Sequence, residues 1–198
     1  MTVSPTDILI ALSPLVDLLD RLGVKYYLGG SVASSVHGTA RSTLDVDLVA
    51  DLREEHVAPL VKTLQGMFYV DARMVAAAIR NKSCFNIIHL ATMVKLDVFA
   101  VKDRPFDRVA FARARPEIIS EGAEAAPRFP VATCEDIILA KLEWFRLGDE
   151  VSERQWHDVL GVMKVQRDRL DQGYLDTWAA SLGLTDLLER ARLECRGV

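Results

Sequence analysis

Leu28-Gly29-Gly30-Ser31, then Leu44-Asp45-Val46-Asp47-Leu48-Val49-Ala50, and far downstream Val94-Lys95-Leu96-Asp97-Val98-Phe99-Ala100, are the stretches that decide how this chain is read. In the second, Val46, Leu48 and Ala50 alternate with Asp45 and Asp47, so a strand there buries the apolar set and turns both carboxylates to its other face. In the third, Val94, Leu96, Val98 and Ala100 form an apolar face, which points Asp97 the opposite way together with Lys95 and Phe99. If the two strands are neighbours, roughly 4.8 Å apart, three carboxylates converge. Such a cluster repels itself and is costly to desolvate unless cations neutralise it. Hard oxygen donors select Mg²⁺ or Mn²⁺.

The glycines supply a second half. Lys25 to Leu28 reads as a short strand, and Ser31 to His37 as a helix that starts directly after it. A strand, a Gly-Gly turn and a helix N-terminus form an anion site, because the bare backbone admits a phosphate closely and free N–H groups face it. Ser31 adds a hydroxyl. Alone, Gly-Gly-Ser marks only a turn, and alternating carboxylates are common on exposed strands. In this order and spacing the combination is far more specific.

The combination resembles the DNA polymerase beta-type nucleotidyltransferase superfamily, whose pattern is an apolar residue, Gly-Gly or Gly-Ser, a gap, Asp-x-Asp and a later Asp. The wording His37-Gly38-x-x-Arg41-x-Thr43-x-Asp45-x-Asp47 is similar to small bacterial members, including the abortive-infection (AbiEii-like) toxin group, although Leu44 stands where many members carry serine. Aminoglycoside and lincosamide nucleotidyltransferases share the core and are more distant on these motifs. Pro130 to Leu142 resembles the family helix that carries a lysine near the nucleotide, here Lys141. The resemblance covers roughly residues 24 to 160.

It implies a Mg²⁺- or Mn²⁺-dependent enzyme that moves an NMP from an NTP to an acceptor hydroxyl, on a tRNA end or a protein, and releases pyrophosphate. Asp45, Asp47 and Asp97 would be both the metal ligands and the catalytic residues, with Asp97 the general base by family analogy. Gly29, Gly30, Ser31, Arg41 and Lys141 would hold the nucleotide. An antitoxin partner goes with the toxin-like reading. An antibiotic-modifying nucleotidyltransferase is the alternative enzyme, favoured by a deep acidic acceptor pocket and opposed by a shallow basic groove. A partner module without turnover is the third reading, and the complete triad argues against it.

Composition agrees. With 198 residues, half of them hydrophobic, the chain can bury a substantial core. A net charge of −4 argues against a large electrostatic footprint for duplex nucleic acid and leaves room for a small RNA contact. Cys84, Cys134 and Cys195 show no metal-pair spacing, and read as reduced core thiols of a cytoplasmic protein. No signal peptide or long apolar run is evident, so no membrane is expected.

The fold expected is α+β: a nucleotidyltransferase-type mixed β-sheet core flanked by helices over 1–121, a linker over 122–130 rich in alanine and proline, and a C-terminal helical part over 131–198. Ser4-Pro5 opens a first helix that Gly23 stops. Glu54 to Leu64 reads as a crossover helix, Met67 to Val70 as a strand, Ala72 to Ile79 as a helix and Ser83 to Leu90 as a strand. Four helices follow the linker, two of them opened by box-like Thr133-x-x-Asp136 and Ser152-x-x-Gln155. Lys102, Arg104, Arg108, Arg113 and Arg115, interleaved with Phe106 and Phe111, read as a solvated surface strip because Asp103 and Asp107 dilute it. Lys141 flanks the apolar stripe of its helix, where it either snorkels or meets the nucleotide.

Overall fold

The computed structural model describes residues 4–38, 45–119 and 127–196. Arg41 and Thr43 therefore lie outside the described residues, as does most of the expected linker. Helix α1 (Pro5–Arg21) opens on Ser4, whose Oγ accepts the Asp7 N–H at 3.2 Å while Asp7 Oδ2 accepts the Ser4 N–H at 2.9 Å. Two end donors are thus satisfied reciprocally. Leu12, Leu15 and Leu19 on its inner face are fully buried, each contributing about 1.5–3 kcal/mol over exposure.

Strand β1 (Tyr26–Leu28) runs into α2 (Gly30–His37), and then come β2 (Asp45–Ala50), a 3₁₀ turn at Glu54–His56, α3 (Val57–Leu64), β3 (Phe68–Tyr69), α4 (Ala72–Arg80), β4 (Cys84–His89) and β5 (Lys95–Ala100). Helix α5 (Pro105–Arg113), β6 (Arg115–Ile118) and β7 (Arg128–Val131) complete this half. Helices α6 (Cys134–Leu147), α7 (Glu153–Gln166), α8 (Gln172–Leu182) and α9 (Thr185–Arg196) close the chain. Thr133 caps α6 and Ser152 caps α7, each accepting the N–H three residues on.

The seven described strands form one mixed sheet in the order β3-β4-β5-β2-β1-β7-β6. β2 and β5 are parallel, as are β1 and β7, and the other neighbours are antiparallel. The expected α+β class is therefore the observed one. Val46, Leu48, Ala50, Leu96 and Val98 share a core with Leu12, Leu19, Leu60 and Leu64 from α1 and α3, so this face of the sheet is closed. The opposite face carries the acidic residues. Among the described residues no helix is long and apolar enough to cross a membrane.

Three elements depart from the expected pattern. α5 occupies the stretch read as a basic strip, and buries only Phe106 and Ala110, too few positions to leave a helical period in the sequence. β6 and β7 pair with each other, and Pro116 faces Pro130 across the ladder. That register suits two residues with no N–H to donate. The stretch read as linker up to Pro130 thus ends inside a strand.

Of the three cysteines, Cys84 also departs from the expected core position, while Cys134 and Cys195 pack against the core. Cys84 is exposed and Cys134 and Cys195 are partly so; all three are free thiols. Cys84 sits on the outer, acidic face of β4 opposite Phe99, which is why it misses the core.

Candidate active site

The register of β2 on β5 builds the site. Asp47 stands opposite Asp97, and Asp45 opposite Lys95, so all four side chains rise from the same face of the sheet. Asp45, Asp47 and Asp97 thus share one face of two neighbouring strands, with Lys95 among them. Its Nζ lies 2.8 Å from Asp97 Oδ2 and 3.5 Å from Asp45 Oδ1. The Asp97 hydrogen bond, ahead of the electrostatic pull of both carboxylates, raises the lysine pKa.

Asp47 is fitted against the Gly30 turn. Burial raises its carboxyl pKa, and the charges of Asp97 and Asp45 push the same way, while the Ser31 backbone N–H and Lys141 pull it down. The Ser31 N–H donates to Asp47 Oδ2 at 3.3 Å and the Gly29 N–H donates to the Asp47 carbonyl at 2.9 Å. The donors expected to face a phosphate are therefore engaged by Asp47 here. Gly30 has φ +50°, and a Cβ built on it would lie 1.7 Å from Asp47 Oδ2. The glycine is required because the chain's own carboxylate fills the space beside it.

A cleft of about 730 Å³ opens over these residues. Gly29, Gly30, Ser31, Asp45, Asp47 and Asp97 form its floor, and α6 with the start of α7 forms the wall through Lys141, Trp144, Arg154 and Gln155. Arg154 Nη2 donates to Ser31 Oγ at 3.1 Å, spanning the cleft at its glycine end. Sequence reading missed Arg154, though a signal exists: a cation in the first turn of a helix works against the helix dipole, and so calls for another use.

Lys141 neither snorkels nor stands in solvent. It is 4% exposed, with Nζ 2.8 Å from Asp158 Oδ2 and 3.0 Å from Gln155 Oε1, and its field still reaches Asp47. Breaking a buried pair strands the remaining charge. Lys141→Ala should therefore lower unfolding free energy by about 3–5 kcal/mol in urea titrations, and Lys141→Met with Asp158→Leu should recover most of it. A single variant as stable as wild type would show that the pair is not held as described.

The basic strip is largely structural. Arg104 bridges Asp107 and Glu143 and ties α5 to α6, and Arg113 reaches Glu135 and Asp136 while lying over the Tyr174 ring. Lys102 lines the cleft. His37 packs the site's rear: its Nε2 lies 2.7 Å from the Ala132 carbonyl, in line with a packing role. Cys84 lines the edge of the cleft.

No three carboxylate, histidine or cysteine side chains among the described residues close on one point as a complete metal cage. Mg²⁺ does not require one, since it is commonly held by one or two carboxylates with substrate phosphates and water. Asp47 and Asp97 are partly buried and repel each other, and the Lys95 ammonium is drawn between Asp45 and Asp97. The donor set fits.

No protein-family model matches the chain, and no curated protein matches it. Solved structures match it in fold. The solution structure of the antibiotic-resistance factor ANT(2'')-Ia is similar over 98% of this chain and 97% of its own, with a TM-score of 0.54 and 16% identity. The same factor in complex with adenylyl-2''-tobramycin matches over 90% of this chain and 97% of its own, with a TM-score of 0.52 and 16% identity. An antigenic nucleotidyltransferase-like protein from Paracoccidioides brasiliensis matches over 96% and 94%, with a TM-score of 0.56 and 18% identity. The chain has the nucleotidyltransferase fold, a mixed sheet with flanking helices. At these identities the likeness is one of architecture.

Proposed function

We propose that this chain is a metal-dependent nucleotidyltransferase that moves an NMP from an NTP to an acceptor hydroxyl and releases pyrophosphate. The observation that carries the reading is the in-register pair Asp47 and Asp97, beside Asp45 and against the Gly30 turn, under a wall bearing Lys141 and Arg154. A fold alone does not assign chemistry, so the weight rests on these residues.

Asp45, Asp47 and Asp97 would hold Mg²⁺ or Mn²⁺, which when bound offsets phosphate charge and lowers the pKa of an acceptor hydroxyl. Ser31 and Arg154 orient the triphosphate at the glycine end, and Lys141 supplies positive field from behind. Arg41, outside the described residues, is assigned the same task on the strength of the sequence motif. Asp97 takes the acceptor proton as the new P–O bond forms.

The His37 to Asp47 wording favours the small bacterial toxin-like type, acting in the cytoplasm on a tRNA end or a protein and restrained by an antitoxin. At the Asp97 end, Lys82 and Lys102 accompany Asp107 and Glu143 in the lining, and Arg104 neutralises part of the acidic charge. A lining of both signs does not single out a polyanionic or a polycationic acceptor, so the choice of acceptor rests on the sequence wording.

The test is to incubate the protein with each of four labelled NTPs and Mg²⁺, separately with total tRNA, bacterial protein and aminoglycosides. Label on tRNA or protein that chelator abolishes is the expected result; none on any acceptor would overturn the reading. Asp97→Ala should then reduce turnover by about 10²–10⁴-fold while weakening NTP binding less, measured as kcat against the NTP dissociation constant. A larger loss in binding than in kcat would reject the role given to Asp97.

A further inference from the structure

Lys95 is one position the family motif does not use. It lies two residues before Asp97 on β5 and directly opposite Asp45 on β2, so the register alone places a four-carbon stem between two of the three carboxylates. Its ammonium contacts both, at 2.8 Å from Asp97 Oδ2 and 3.5 Å from Asp45 Oδ1. The side chain is 37% exposed, so it has a way out to solvent that a buried lysine would lack. Asp47, the third carboxylate, is instead held by the Ser31 N–H on the far side.

We propose that Lys95 is a tethered cation: in the metal-free protein its ammonium holds ground between Asp45 and Asp97 that a divalent ion needs, and loading of the ion displaces it. The inference rests on the reading of Asp45, Asp47 and Asp97 as a metal site. Two consequences follow from charge. The lysine relieves carboxylate repulsion when no metal is present, so the empty site stays folded. It also competes with the metal, because a second cation beside Asp45 and Asp97 repels an incoming one and must give up two ion pairs. Metal affinity is thereby weakened until a triphosphate brings further oxygen donors, which ties cation loading to substrate.

A lysine that kept its place beside the metal would behave otherwise, as would one that merely packed on the strand. Mn²⁺ alone, titrated into metal-free full-length protein and followed by the electron-spin resonance of the free ion, separates the cases. Lys95→Met is expected to bind Mn²⁺ roughly tenfold tighter than wild type, and Lys95→Arg, which keeps the charge, to stay within about threefold of it. In chelator Lys95→Met should melt below wild type, and saturating Mn²⁺ should close the gap. Equal or weaker Mn²⁺ binding by Lys95→Met, or a melting gap that persists at saturation, would overturn the inference. Asp47→Asn separates the two levels: if it binds Mn²⁺ as wild type does, the metal site fails and the tether with it. If it loses Mn²⁺ while Lys95→Met is unchanged, the tether alone fails.

Discussion

Asp47→Asn should abolish nucleotidyl transfer, by at least about 10²–10³-fold, and yet melt higher than wild type when metal is absent. The substitution keeps the shape of the side chain and an oxygen able to accept the Ser31 N–H, so the turn at Gly30 is preserved. What it removes is a partly buried charge crowded by Asp97 and Asp45, whose raised pKa reflects the cost of ionising it there. Near neutrality that relief is worth a rise of a few degrees, since about 1 kcal/mol moves a chain of this size by about 2–4 °C. Mg²⁺ with NTP should stabilise wild type and not the variant. Paired melts and label-transfer assays decide it, and transfer at the wild-type rate would remove Asp47 from the machinery.

Gly30→Ala should be nearly as damaging, although it adds a single methyl. A Cβ at this position would stand 1.7 Å from Asp47 Oδ2, 2.3 Å from Cγ and 2.7 Å from Cβ, in a backbone with φ +50°. Neither the aspartate nor the turn can stay where it is. A loss of about 1–3 kcal/mol in stability is expected, with transfer falling towards that of Asp47→Asn. Gly29→Ala is the control: its Cβ would meet only Tyr27 Cε2, at 3.7 Å, and its φ of −119° suits any residue. Urea titrations and transfer rates on the two variants should diverge sharply; two equal variants would show that Asp47 is not fitted against Gly30.

What could be read from the residues was whatever depends on neighbours along the chain. The alternation in Asp45 to Ala50 and Val94 to Ala100 placed three carboxylates on strand faces, and the caps at Ser4, Thr133 and Ser152 placed helix starts, because each rests on a period or offset of a few residues. That β2 and β5 are parallel neighbours with Asp47 opposite Asp97 is a matter of topology, conditional until the sheet order was known. Contacts across the chain were out of reach. Arg154 meets Ser31 from 123 positions away, and the Lys141 to Asp158 pair joins two helices whose mutual packing no local pattern reports. The strip around Arg104 was misread for the same reason, since its helix buries two side chains and spends its charges on partners from α6 and its own first turn.

The place of β7 has a consequence for how the polypeptide can be divided. β1, which delivers Gly29 to the floor of the cleft, is flanked by β2 on one side and by β7 on the other, through Leu28 opposite Val131 and the Ala132 N–H to the Leu28 carbonyl at 3.0 Å. β7 takes up the end of the stretch read as a boundary, and it runs straight into the cap of α6. A fragment ending before it would leave β1 as a raw sheet margin and β6 without a partner. Unpaired N–H and C=O groups of that kind recruit strands from other molecules. The chain is therefore not separable ahead of β7, because β1 needs that later strand as its outer neighbour.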